Sequence, residues 1–221
     1  MNSRHKNLAV EWISFPLSQV QISLEVIKHF FPNLPDAIFA KLQYFCELVH
    51  EKNKVLNLIS RKDMDRIVEA HLLPSLAIFK QNPFPADRTV LDIGTGGGFP
   101  GLPLAIVTPN THFTLVDSVG KKIRAVEEFA GALELKNVTC INDRVENLRK
   151  KYHFITGRAI ANPDDFSSLA KPHLKPHGTI FYLTGGEIVP PKNTTIIDLF
   201  TLFDHLCCET KKLLITAMPK L

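Results

Sequence analysis

Glycine is missing from the first 85 residues of this chain and then appears five times between positions 94 and 101. A segment without glycine has no easy route to positive-φ turns, so it suits helices joined by proline-marked breaks rather than a loop that cradles a ligand. Cysteine is also sparse. Cys46, Cys140, Cys207 and Cys208 show no C-x-x-C spacing, which excludes a zinc ribbon and a disulfide framework and leaves buried, reduced thiols. The adjacent pair Cys207 and Cys208 cannot comfortably chelate one metal, and on a strand its members would face opposite sides. No stretch reaches the roughly 18 consecutive apolar residues of a membrane helix, and the opening MNSRHKNLAVEWISFPLS holds no signal-peptide core. A cytoplasmic protein without a membrane span is therefore expected. Internal repeats, low-complexity tracts and coiled-coil heptads are absent, which excludes solenoids and fibres and points to a monomer. A net charge of +4 is mild, compatible with a polyanionic partner without specifying one. What is present, 221 residues of which 45% are hydrophobic, suffices for one good-sized core or one α/β domain with a helical extension.

Up to residue 85 the periodicity is helical. Ser18 precedes Val20, Leu24, Ile27 and Phe31, and Pro32 closes the run, so a capped amphipathic helix is predicted. After the break at Asn33-Leu34-Pro35-Asp36, a second helix keeps Ile38, Leu42, Phe45, Val49 and Leu56 in register. A third runs from Asp63 through Met64, Val68, Leu72, Leu76 and Phe79, and Pro74 must kink it or open a new short helix, because its ring cannot sit in an uninterrupted helix interior. After Thr89 short β-like runs at 90–93, 113–117, 138–141, 154–157 and 179–184 alternate with helical ones near 99–107, 119–134 and 164–174. That alternation predicts an α/β fold with a mostly parallel, doubly wound sheet covered on both faces. Segments 194–202 and 211–218 have strand character and complete one sheet edge, with room for an antiparallel member. Residues 1–85 are thus an N-terminal helical extension and 86–221 the core.

The strand at Val90 runs into Asp92-Ile93-Gly94-Thr95-Gly96-Gly97-Gly98-Phe99-Pro100-Gly101, a glycine-rich loop with a carboxylate at its entrance. Glycines there let the backbone turn through positive φ and approach a ligand, while the following helix offers free amides. Gly96 to Gly101 also fits the dinucleotide pattern G-x-G-x-x-G, so the literal motif does not decide the cofactor. Position does better. Asp92 at the strand tip would repel a pyrophosphate, whereas a ligand carrying an ammonium and a sulfonium, such as S-adenosylmethionine, suits it. The next β-like run ends in Asp117, about 20 residues past the loop, where a carboxylate can accept both ribose hydroxyls of an adenosine. Asp117 equally suits the N-cap of the helix that starts near Val119, unless Ser118 takes that part.

Several further segments resemble one family: Glu51-Lys52-Asn53-Lys54-Val55-Leu56-Asn57-Leu58, Ala70-His71-Leu72-Leu73-Pro74-Ser75, the loop continued through Leu102-Pro103-Leu104, Leu115-Val116-Asp117-Ser118-Val119-Gly120-Lys121-Lys122, Asp143-Arg144-Val145-Glu146 and Gly157-Arg158-Ala159. Over nearly its full length the chain resembles the bacterial small-subunit ribosomal RNA guanine-N7 methyltransferases, also called the glucose-inhibited division protein B family. The combination G-F-P-G-x-P-L is far more specific than the glycines alone. The resemblance implies a Rossmann-like class I S-adenosylmethionine-dependent methyltransferase fold, acting on 16S rRNA or an assembling small ribosomal subunit. It also implies that Gly94 and Phe99 contact the cofactor, with Asp92, Gly96 and Gly98 in the same loop, that Asp117 holds the ribose, that Val145 and Glu146 flank the adenine, and that Arg158 belongs to the cofactor site. Physically, Arg158 ends a central strand, where it can bind the cofactor carboxylate or an RNA phosphate, or form a structural ion pair with Asp92 or Glu146. His71 matches a family position and either touches substrate or serves as a structural donor; Asn57 matches too, with its amide suited to capping the turn after the second helix. Two departures stand out. Pro74 replaces a usually acidic residue, and Thr184-Gly185-Gly186 stands where the family ends its fifth strand with Lys-Gly, so that Gly185 offers no lysine side chain.

The reaction can be read from what is missing. There is no Asn/Asp-Pro-Pro-aromatic loop of exocyclic-amine methylation after the fourth strand, where the chain reads Arg158-Ala159-Ile160-Ala161-Asn162-Pro163-Asp164, and Cys140 lacks the surroundings of a pyrimidine nucleophile. Guanine N7 carries a lone pair and no proton, so its methylation needs alignment and desolvation more than a general base. No catalytic acid or base is therefore expected. Arg61, Lys62 and Arg66, then Lys121, Lys122 and Arg124, then Arg149, Lys150 and Lys151 are the basic groups suited to phosphate contact or to a plain solvated surface. A small-molecule methyltransferase with the extension as a lid, a degenerate cofactor-binding regulator and a dinucleotide oxidoreductase remain as alternatives.

Overall fold

The structure, a computed structural model, describes residues 22–217. Ser18 and Val20 of the first predicted helix and Met218 of the last predicted strand lie outside them. Among the described residues seven strands form one sheet: β1 Thr89–Ile93, β2 His112–Asp117, β3 Val138–Asn142, β4 Tyr152–Arg158, β5 Leu174–Gly185, β6 Thr194–Asp198 and β7 Lys211–Ala217, in the order β3-β2-β1-β4-β5-β7-β6. The first five strands in that order pair in parallel, and β7 is antiparallel to both β5 and β6. The predicted doubly wound α/β architecture is the one observed, with β7 as the antiparallel member. Strand order reverses between β1 and β4, and this switch point opens the crevice in which sheets of this kind bind ligands.

Strand alternation sorts the side chains into two faces. Val90, Phe113, Leu115, Phe181, Leu183 and Leu213 belong to one buried cluster with residues of the N-terminal helices α1 Glu25–Phe30, α2 Asp36–Asn53 and α3 Leu73–Gln81, and of α4 Gly101–Val107 and α5 Gly120–Ala132. Leu91, Ile93, Val116, Ile155, Ile180 and Tyr182 form the opposite cluster with Phe166 and Ala170 of α6 Pro163–Ala170. The helical extension thus shares a single apolar core with one face of the sheet, and Leu42 and Phe45, completely buried, each contribute about 1.5–3 kcal/mol of transfer free energy there.

Three element assignments differ in part from the sequence reading. The second helix stops at Asn53, and Leu56 lies in the following turn, still packed against the core. The third predicted helix opens anew at Pro74 as α3, as expected, but the part before it is a 3₁₀ segment Arg61–Arg66 and a π-helical turn Val68–Leu72 rather than α-helix. Pro74 explains the break: it has no N–H for the carbonyl four residues back, so the amide of Leu73 bonds five back to Val68, and the Ser75 hydroxyl donates to the carbonyl of His71 at 2.7 Å. Segment 194–202 is strand only to Asp198, whose carboxylate accepts from the amide of Phe200 and caps the short helix α7 Leu199–Phe203. Cys207 and Cys208, between the predicted tail segments, sit on a 3₁₀ turn, and their sulfurs are neighbours 3.5 Å apart.

Candidate functional site

A cleft of about 650 Å³ lies at the carboxyl ends of β1, β2 and β4. Its floor is the loop after β1, where Gly94 and Gly96 hold φ of 59° and 57°, a conformation L side chains rarely adopt. One wall is the end of β2. There Asp117 accepts the amide of Gly96 at 2.9 Å through one oxygen and that of Val119 at 2.8 Å through the other. Asp117 thus ties the glycine loop to the turn before α5 without being the helix N-cap, which is Val119 and makes no side-chain cap bond, and its carboxylate keeps lone pairs for ribose hydroxyls. Asp143, Arg144, Val145 and Glu146 line one end of the cleft, and Phe99, His71 and Arg158 the other. The volume, the positive-φ cradle and the acceptor at the end of β2 fit an adenosine carrying a charged amino-acid tail.

Two expected members of the cofactor set are not brought to the cleft surface. Asp92 is fully buried beneath the loop, on the same sheet face as Thr156, whose hydroxyl donates to it at 2.8 Å, while the amide of Gly101 donates at 3.2 Å. It alternates with Leu91 and Ile93 and so points toward α4 rather than out of the strand tip. Burial pushes its carboxyl up to about 6, against the hydrogen bonds from its neighbours. Its structural part is to anchor the start of α4, which Gly101 makes possible, since a Cβ there would collide with Leu115 and Asp92. Gly98 likewise faces inward, toward Leu102 and Phe45.

Arg158 and His71, far apart in sequence, meet. An Arg158 nitrogen lies 2.5 Å from Nδ1 of His71, and Nε2 of His71 lies 3.1 Å from a carboxylate oxygen of Asp63. Since guanidinium only donates, Nδ1 must accept, so Nε2 carries the proton and donates to Asp63. Burial, reinforced by the Arg158 charge, holds the imidazole down at about 3, and burial lowers Arg158 itself to about 10. The guanidinium stands 5.3 Å from the centre of the Phe99 ring, against which His71 also packs. The partner of Arg158 is thus His71, rather than the Asp92 or Glu146 ion pair considered from sequence.

Of the basic groups named for phosphate contact, Lys122 lines the cleft, where Arg144 joins it. Arg149, Lys150 and Lys151 precede β4 and sit at the opposite end of that strand, about 20 Å from Arg158. Asn57 is exposed; the turn after α2 is held instead by buried Asn53, which accepts the amides of Leu58 and Ile59 at 2.7 and 3.0 Å and donates to the carbonyl of Ile59. Leu58 and Ile59 line the cleft, so Asn53 shapes a wall that no local motif revealed. Asp63 was equally invisible as a site member, because its partner stands eight residues on across a helix break.

Fold and cleft together are those of the Rossmann-like methyltransferases that use S-adenosylmethionine. Solved structures agree at the level of the fold: a SAM-dependent methyltransferase from Aquifex aeolicus, 16% identical, covers 77% of this chain and 98% of its own at a TM-score of 0.53. A mutant of MtNAS, 14% identical, covers 90% of this chain and 83% of its own at 0.57. The particular family follows from sequence. The family model of rRNA small subunit methyltransferase G matches residues 38–189, and the chain belongs to that family. Relatives called ribosomal RNA small subunit methyltransferase G include one from Flavobacterium johnsoniae, 41% identical over 85% of this chain and 94% of its own length, and one from Christiangramia forsetii, 40% identical over 89% and 98%.

Proposed function

We propose that the protein transfers a methyl group from S-adenosylmethionine to N7 of a guanine in 16S rRNA, in the cytoplasm, as a monomer, on RNA alone or within an assembling small subunit. The cofactor supplies an electrophilic sulfonium methyl. Asp117, Gly94, Gly96, Val145 and Glu146 hold its adenosine, and Arg158, pinned over Phe99, orients the charged tail or the reacting base. Asp92 acts from below, by fixing the start of α4. The observation that carries the reading is the state of His71. Both of its ring nitrogens are engaged, by Arg158 and Asp63, and the ring resists protonation, so it neither takes nor gives a proton. A site so arranged suits a nucleophile that has a lone pair and no proton to lose, as guanine N7 does. Pro74 supports the geometry rather than the chemistry, since it is buried in the first turn of α3 and enforces the π turn that carries His71.

The test is incubation with methyl-labelled S-adenosylmethionine and small ribosomal subunits lacking the modification, followed by digestion to nucleosides and mass spectrometry. Labelled 7-methylguanosine that disappears with Arg158→Ala is expected. Cofactor binding with no label in RNA would move a small-molecule substrate or a regulatory binding role to the front.

A further inference from the structure

Paired residues on neighbouring strands project from the same face of a sheet, and so do residues two apart on one strand. Arg158 pairs with Leu183, Leu183 pairs with Leu213, and Lys211 is two residues from Leu213. Lys211 and Arg158 therefore leave the same face at the same end of the sheet, two strands and about 10 Å apart. Lys211 is half-buried, and its ammonium donates to the carbonyl of Glu69 at 3.2 Å, in the π turn that carries His71. Arg66, at the end of the preceding 3₁₀ segment and three residues before Glu69, is exposed and acts on Lys211 electrostatically, as does Arg158. Opposite Lys211 in the β5–β7 pair stands Gly185, which presents no side chain of its own at this edge. Three cations thus converge on one partly desolvated stretch of the mouth. Two carboxylates act on Arg158, Asp92 from beneath the loop and Asp63, which is already bonded to the imidazole, and the Cys207 and Cys208 thiols near Lys211 favour its charged form. The exposed side of this stretch still presents Lys211 and Arg66 together, an excess of positive charge that favours an entering anion.

We propose that Lys211 and Arg66 form a phosphate-binding subsite for the substrate RNA strand, just outside Arg158. This rests on the RNA-methyltransferase reading and adds to it a contact from β7, a strand that supplies no residue to the cofactor cleft. Because Lys211 lies outside that cleft, the anion it binds is a phosphate of the RNA backbone rather than the cofactor carboxylate. Lysine there acts as a compact point charge, so it adds affinity and register without reading a base.

The experiment compares the full-length protein with Lys211→Met, which keeps the aliphatic stem, and Lys211→Arg. Binding to unmodified 16S rRNA is measured across a salt series, alongside S-adenosylmethionine affinity and thermal melting. Loss of one phosphate contact is expected to weaken RNA binding about tenfold and to make the log–log salt slope shallower by about 0.7–0.9, with Arg restoring both. Cofactor affinity should stay within about twofold. An unchanged salt slope in Lys211→Met overturns the proposal, whatever happens to melting. A fall in cofactor affinity with the slope unchanged overturns it too, and assigns Lys211 to the carboxylate. Failure of the wild type to form 7-methylguanosine strikes the functional reading instead; turnover by the wild type with an unchanged Lys211→Met slope strikes this inference alone.

Discussion

Asp92→Asn makes a quantitative test of how the buried carboxylate is held. Burial lifts the Asp92 carboxyl from 3.8 to about 6. At 1.36 kcal/mol per pH unit that difference corresponds to ~3 kcal/mol by which ionised Asp92 destabilises the fold at neutral pH. The sign follows from proton counts. Between the two values the native chain binds the proton more readily than the unfolded chain, so the penalty is complete above the native value and fades as pH falls toward the unfolded one. Between about pH 7.5 and pH 5 roughly 1.4 kcal/mol of it is relieved. Asparagine removes the titration but can keep both bonds: its oxygen accepts from the Gly101 amide, and its NH₂ donates to Thr156, whose hydroxyl can turn from donor to acceptor. His71 pulls the other way, since its lowered value makes acid destabilising, but it is common to both proteins. The change in melting temperature from pH 7.5 to pH 5 should therefore be more favourable in the wild type than in Asp92→Asn by about 3–6 °C for a chain of this size. Melting curves followed by circular dichroism at the two pH values measure it. Equal pH dependence in the two proteins would refute the argument that Asp92 is a buried, strained carboxylate.

Three further outcomes follow from the geometry. Asn53→Ala loses three buried hydrogen bonds and should destabilise the fold by about 2–4 kcal/mol, read as a melting drop of roughly 4–16 °C, with a raised KM for S-adenosylmethionine as Leu58 and Ile59 shift. His71→Ala frees Arg158 and should lower kcat/KM about 100-fold, while His71→Gln, which can present an oxygen to Arg158 and an NH₂ to Asp63, should recover much of it; steady-state kinetics decides, and a wild-type profile with a His71 inflection near neutral pH would contradict the neutral imidazole. Gly101→Ala drives a methyl group into Leu115 and Asp92 and should destabilise by about 1–3 kcal/mol or more, seen as a fall in denaturant midpoint.

Much of the fold was legible because period and punctuation are local. The runs that became β1 to β5 and the helices between them carry their own apolar spacing, and the glycine loop announces a strand-to-helix turn with a ligand above it. The break at Pro74 was legible in the third helix, but the form of the segment before it was not. Periodicity from Asp63 to Phe79 is helical throughout, and only the i−4 bond that Pro74 cannot make reveals that the register slips by one into a π turn. The tail was read as strand past Asp198 because Leu199, Phe200 and Leu202 have β character, and the cap that starts α7 depends on a side-chain bond to Phe200. Asp92 was expected at the strand tip facing the ligand, but side chains alternate, and the paired strands decided which face it took.

By itself the sequence determined the class of fold, the position of the nucleotide-type loop and the family, since each is carried by residues adjacent in the chain. Tertiary structure alone decided which of the charged residues act together. Asp63, His71 and Arg158 come from a 3₁₀ segment, a π turn and a sheet strand, and Lys211 joins them from an antiparallel strand. Their electrostatic roles depend on distance and burial, which fall off over a few ångströms and bear no fixed relation to separation along the chain.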